Sequence, residues 1–235
     1  MFVVAKRSTN SGAVDDSAQV GQRLRSAREE LGLSLREVAR RLDISASALS
    51  QIETGKSRPS VKTLYAIVSE LGLSMDELFA DSPAGARAAA GGPSTPEEAA
   101  TELNGASGAP TAPIVQRAEA RPSIDLDAGV TWARLTSAHD ANVDFLHTTS
   151  HPGSSSSGSD KLVRHNGREY GVVLSGQLEL TVGFEKYRLG PGDSCSFDSN
   201  EPHRLANPST EPATAIWFVI GRRGSDPRSP NFDGE

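Results

Sequence analysis

The sequence contains one cysteine, Cys195, in 235 residues. A single thiol excludes an internal disulfide and any multi-cysteine metal cluster, and it suits a reducing compartment, so the cytoplasm is the expected location. Aromatic residues are scarce at 5%, and the two tryptophans, Trp132 and Trp217, are expected to anchor a core or a dimer seam. No apolar run approaches the roughly 20 residues that span a bilayer. The opening apolar stretch stops at Ala5, so neither membrane insertion nor a secretory leader is expected. Long blocks of one charge sign are missing too: 24 Lys+Arg face 30 Asp+Glu, a net charge of -6 that, taken over the whole chain, speaks against nucleic acid. What remains, 23% charged and 36% hydrophobic residues, is the composition of a globular chain long enough for one large domain or two small ones.

Resolved along the chain, composition divides the sequence into five parts. Residues 1–16 are polar and unpatterned, a disordered arm. Residues 17–80 are rich in Leu, Arg and Glu at helical spacing. Residues 81–113 hold ten Ala, five Gly and five Pro with Leu103 as the sole large aliphatic. Such a stretch cannot bury enough apolar surface to offset its ordering entropy and reads as a flexible Ala/Gly/Pro-rich linker between independently acting domains. Residues 114–220 turn to Val, Thr, Ser and Gly with period-2 stretches, and residues 221–235 form a solvated tail. Charge follows the same division: residues 17–63 carry nine basic and five acidic side chains, whereas residues 114–220 carry nine basic and thirteen acidic. A mildly basic head is joined to an acidic body.

In the head, Val20, Leu24, Ala27 and Leu31 recur at helical spacing before Gly32. Ser34 and Glu37 have the spacing of a capping box, Ser45 caps a third helix that ends at Gly55, and Ser60 caps a fourth with Leu64, Ile67, Val68 and Leu71 on its apolar face. A fifth helical turn is expected over 74–79, giving a five-helix bundle. The ordered landmarks LGLS-L-x-E-V-A, I-S-x-S-x-L-S-x-I-E-x-G and x-P-S-V-x-T-L resemble the XRE-type (lambda-repressor-like) helix-turn-helix domain. The resemblance implies that Ala46, Ser47, Ser50 and Thr54 face base edges in the major groove, while Arg36, Gln51, Lys56 and Arg58 touch phosphates. Two serines and an alanine methyl give modest direct readout, with affinity supplied by the cations.

The body reads as an all-β unit, with strands expected over 130–135, 143–149, 170–174, 177–182, 185–189, 194–197 and 215–220. His165-x3-Glu169-x6-Gly176, followed by Gly190-Pro191-Gly192-Asp193 and Pro202-His203-x3-Asn207, resembles the two motifs of the cupin family. That resemblance implies a double-stranded β-helix (jelly-roll) barrel with His165, Glu169 and His203 at metal-ligand positions, and with Val163 where the family has a further histidine. Two imidazoles and a carboxylate suit Fe, Mn, Ni or Zn; the bland alternative is a hydrogen-bond network joining two hairpins. His139, His147 and His151 lack mutual ligand spacing and are expected at the surface or in hairpins. Cys195 reads as a small core residue, and the loop of Ser154–Ser157 with Gly158 as a lid near the barrel mouth.

The expected function is therefore a sequence-specific, DNA-binding transcriptional regulator, not an enzyme. Its cupin barrel senses a small-molecule effector or a metal, and it acts as a homodimer on a double-stranded DNA operator. Two alternatives share the same residues: a mononuclear non-haem iron oxygenase or epoxidase with a helical head, and a regulator whose cupin only dimerises.

Overall fold

The computed structural model describes residues 16–79, 114–138, 140, 142–157 and 161–221. The arm, linker and tail inferred from composition lie outside these residues apart from Asp16 and Gly221, as do His139 and Gly158.

Four α-helices build the head: α1 (Asp16–Glu30), α2 (Leu35–Arg41), α3 (Ala46–Glu53) and α4 (Val61–Glu70). Three begin on the expected serines. The hydroxyls of Ser34, Ser45 and Ser60 accept from the amides of Glu37, Ala48 and Thr63, satisfying orphan donors of the first turn. The Glu37 carboxylate does not close its capping box; it pairs with Arg41, which also meets Glu70 at 2.7 Å. The fifth helix expected from the sequence is instead a four-residue 3₁₀ turn over Asp76–Phe79. A reciprocal Ser74–Glu77 box opens it, and six residues are too few for a stable α-helical segment. Leu24, Leu49, Leu64, Ile67 and Leu78 are fully buried at the centre.

Helices α1 and α3 approach closely because Gly21 faces the end of α3: a Cβ there would lie 2.3 Å from the Ile52 carbonyl oxygen. Beside this contact, Arg28 of α1 donates from Nε and Nη2 to both carboxylate oxygens of Glu53 at 2.7 and 2.8 Å, and from Nη1 to the Leu33 carbonyl at 2.9 Å. Both side chains are buried, so the bidentate pair fixes the orientation of α3.

Among the described residues the body is a two-sheet antiparallel barrel of nine strands: β1 (Ser123–Leu126), β2 (Val130–Arg134), β3 (Val143–Ser150), β4 (Arg168–Ser175), β5 (Leu178–Val182), β6 (Glu185–Leu189), β7 (Ser194–Asp198), β8 (His203–Ala206) and β9 (Ala213–Ile220). One sheet has the order β1-β2-β3-β9-β4-β7 and the other β6-β5-β8. The seven expected strands are present; β1 and β8 were not expected, because four residues beside a proline carry too little alternation to register. Alternation sets which side chains enter the barrel. On β9, Ala213, Ala215, Trp217 and Val219 are buried, and on β4 Glu169, Gly171 and Val173 are.

The two domains meet directly. The Lys62 amide donates to the Ser156 carbonyl at 3.1 Å, and the Asp127 amide donates to the Pro59 carbonyl at 2.9 Å. Arg58 lies 3.5 Å from Asp125. The independence expected from the linker's composition is thus corrected: α4 rests on the barrel mouth. The 154–157 segment is not a free lid. Ser155 bridges to Ala206, the Ser156 amide donates to the Leu205 carbonyl at 2.8 Å, and Ser154, Ser155 and Ser157 are buried.

Candidate functional site

Two surfaces carry the residues singled out by sequence. On the head, α3 and the following turn present Ser47, Gln51, Thr54, Lys56 and Arg58 to solvent, with Ala46 and Ser50 half-buried and Arg36 exposed on α2. The Ser47 hydroxyl lies 3.0 Å from that of Ser45, and the Thr54 hydroxyl donates back to the Ser50 carbonyl at 2.8 Å. Arg58 is engaged as well. Besides facing Asp125 it donates to the Ser17 hydroxyl at 3.3 Å, so two neighbours already engage its guanidinium.

Inside the barrel, His165 before β4, Glu169 on β4 and His203 at the start of β8 converge, with one ligand atom from each lying within 4.8 Å of the others. Pairing brings them together. The backbones of Val163 and His203 bond reciprocally at 2.7 and 2.9 Å, which seats the His165 loop against β8. Val163 itself is buried beside the cluster and offers only an apolar side chain where the family has a fourth ligand.

The tautomers follow from the backbone. His165 Nδ1 lies 3.0 Å from the Asn166 carbonyl and His203 Nδ1 lies 2.9 Å from the Glu201 carbonyl. A carbonyl only accepts, so each Nδ1 carries a proton and each Nε2 turns to the centre, the arrangement that orients metal-binding imidazoles. Those Nε2 atoms lie 2.8 and 3.1 Å from Glu169 Oε1. Even so, this buried oxygen accepts no well-aligned hydrogen bond. Its companion Oε2 accepts from Trp217 Nε1 at 2.6 Å. Burial alone would raise the Glu169 pKa, but the two imidazoles outweigh it and hold the carboxyl well below the usual carboxylate range. His203 moves the opposite way: burial pulls it down, and the Glu169 carboxylate more than reverses that, raising it above the ordinary histidine value. The anionic oxygen draws positive charge to the space between the two Nε2 atoms: a proton on His203 supplies it in part, and with the imidazoles neutral their two inward lone pairs and the carboxylate form a donor set that fits a divalent cation.

The surrounding cavity has room of about 50 Å³, and Trp132, Thr148, Phe197, Trp217 and, from the head, Val61 and Tyr65 are among its walls. The Tyr65 ring lies 4.8 Å from that of His165 and 5.2 Å from that of Trp132. Sequence reasoning did not single out Tyr65; its position on the apolar face of a helix carries no sign of a second domain. Both tryptophans prove to be walls of this cavity. Trp217 sits where Gly171 leaves space, since a Cβ on Gly171 would fall 2.2 Å from the indole. Among the described residues, His147 lies on β3 away from the cluster with its pKa lowered by burial and by Arg121, and His151 is exposed. Cys195 is half-buried on β7, its thiol pushed up to about 11 by burial and by the Glu169 charge, so it is a poor nucleophile at neutral pH.

Comparison with known proteins finds both domains. Residues 24–78 match the helix-turn-helix family model and residues 146–219 match that of the cupin domain. The chain is similar to the HTH-type transcriptional regulator PuuR of Escherichia coli (strain K12), with 26% identity over 200 residues that cover 83% of this chain and 91% of the relative. Its head alone is similar to the HTH-type transcriptional regulator DdrOP3 of Deinococcus deserti, 38% identical over 58 residues, or 25% of this chain and 45% of that one. The crystal structure of an HTH_3 family transcriptional regulator from Vibrio cholerae shares the fold with a TM-score of 0.58, over 89% of this chain and 100% of that one at 22% identity.

Proposed function

We propose that this chain, an XRE-type helix-turn-helix domain joined to a cupin domain, is a DNA-binding transcriptional regulator whose barrel binds a small-molecule effector at a divalent metal ion. The observation that carries the reading is the solvent-facing side of α3. Small polar side chains, Ser47, Gln51 and Thr54, stand there beside Lys56 and Arg58 on a helix whose orientation the buried Arg28–Glu53 pair fixes. Similarity to PuuR across both domains supports it. In this reading Ala46, Ser47, Ser50 and Thr54 contact base edges, and Arg36, Gln51, Lys56 and Arg58 hold phosphates. The acidic barrel disfavours loose binding, so affinity comes from paired heads on a two-fold site.

The metal, Fe, Mn, Ni or Zn, is held by His165, Glu169 and His203. It supplies positive charge to the orphaned Glu169 oxygen and open coordination positions for an oxygen or nitrogen donor of the effector. The working form is a cytoplasmic homodimer. The outer face of the larger sheet supports the pairing: Phe145, Phe218 and Tyr170 stand in adjacent register, and Tyr170 and Leu174 are 40% and 48% exposed. Among the described residues no helix is long and apolar enough to cross a membrane.

The test is competition binding of the full chain to a labelled duplex from upstream of its own gene, against an unrelated duplex of equal length, at stated salt. Preference for the upstream duplex that vanishes in Ser47→Trp is expected; equal binding to both duplexes overturns the regulator. Substrate-dependent oxygen consumption by the iron-loaded chain, lost in His165→Ala, would put the oxygenase in its place.

A further inference from the structure

Two cavities share a wall. The inner one, about 50 Å³, contains the open side of His165, Glu169 and His203. Outside it a crevice of about 320 Å³ runs between α4 and the 163–166 segment, with Lys62, Arg164 and Asn166 among its walls. Three residues, Tyr65, Val163 and His165, belong to both. Of these, Val163 is pinned by its backbone to His203, and the His165 ring is held by the Asn166 carbonyl. Tyr65 comes from the other domain and is held in the shared wall by ring contacts with His165 and Trp132, so passage from one cavity to the other displaces those contacts while the register of the barrel strands stays intact. The inner space admits a few waters or a very small molecule, so an effector of ordinary size needs more room than it offers.

We propose that Tyr65 is the gate of a ligand site shared by the two domains: an elongated small molecule coordinates at the triad and extends past a displaced Tyr65 into the crevice beside Lys62 and Arg164. The class of ligand follows from the walls. The inner end is apolar apart from the triad and Thr148, Ser150 and Ser156, and suits a compact coordinating head; the outer end is polar with two cations, since the Arg41 guanidinium already holds the Glu70 carboxylate there. It therefore takes a polar or anionic tail. Displacing Tyr65 also disturbs the contacts that seat α4. Just before that helix, Arg58 and Pro59 have Asp125 and Asp127 as their partners on the barrel. A ligand in the shared site thereby biases the segment assigned to phosphate contact, and DNA biases the ligand by the same factor.

Only the metal-binding head rests on the function proposed above; the gate does not, and the experiment separates them. Trp132 and Trp217, the only tryptophans in the chain, both line the inner cavity, so acrylamide quenching of the intrinsic fluorescence of the metal-free full chain reads access to it. Tyr65→Ala is expected to raise the quenching constant several-fold. Equal quenching in Tyr65→Ala and the unaltered chain overturns the gate. So does a rise accompanied by loss of amide protection throughout both domains, which would mark a general packing role. In the zinc-loaded chain, glutarate is expected to shield the tryptophans more than acetate does, and Lys62→Ala with Arg164→Ala to abolish the difference; equal shielding by the two acids overturns the elongated ligand. A chain that takes up no zinc refutes both the metal reading and the coordinating head, while the quenching result still decides the gate.

Discussion

In the head, each of α2, α3 and α4 starts on a serine that caps it, and the helices pack through faces written at a spacing of three and four residues. In the barrel, the residues that matter most to one another are far apart: Glu169 meets His203 on another strand and Trp217 on a third, and the cavity they share is closed by Tyr65 from before the linker. The head is stabilised locally and oriented by one buried ion pair. The barrel is stabilised by register, and its chemistry exists only where distant strands are aligned. Changes to the head should therefore act on stability first, and changes to the barrel on the site first.

The largest expected effect is on the head's ion pair. Glu53→Ala leaves the Arg28 guanidinium buried without its partner and should cost about 3–5 kcal/mol, read by urea unfolding, with the barrel's transition moving far less. A loss below about 1 kcal/mol would mean that the pair is hydrated, and would break the contrast drawn here. Next comes Gly171→Ala. The added methyl collides with Trp217 and should cost about 1–3 kcal/mol in a thermal melt, with the further sign of altered tryptophan emission. Trp217→Phe removes the donor to Glu169 while keeping an aromatic ring, and should weaken metal affinity about 10–100-fold in a competition titration. The smallest effect belongs to the seam. Asp125→Ala releases Arg58 from a half-exposed pair at 3.5 Å and should strengthen DNA binding by at most about 1 kcal/mol, an effect that disappears in the Arg58→Ala background.

Much of this was legible because the signals were local. Ser34, Ser45 and Ser60 stood where caps belong, and His165 and Glu169 are close enough in sequence to be read as one motif. The 3₁₀ turn at 76–79 was read as a helix because capping residues announce a start without setting a length. Strands β1 and β8 escaped because four residues hold barely one alternation, and His203 was legible through its motif rather than its strand. Tyr65 was not legible at all. Its spacing marks it as buried, and nothing in a helical period distinguishes burial against its own domain from burial against another. The same holds for Asp125, whose partner Arg58 lies on the far side of the linker.

The central claim is that the DNA-reading unit and the barrel meet at the mouth of one site. Hydrogen exchange at two amides tests it most directly, because Lys62 N–H and Asp127 N–H each donate across the domain boundary, to Ser156 and Pro59. Protection at both amides in the full chain, falling together in Tyr65→Ala while the β3–β9 ladder stays protected, is the predicted result. Exchange of both at the rate of an open peptide in the unaltered chain would contradict the account.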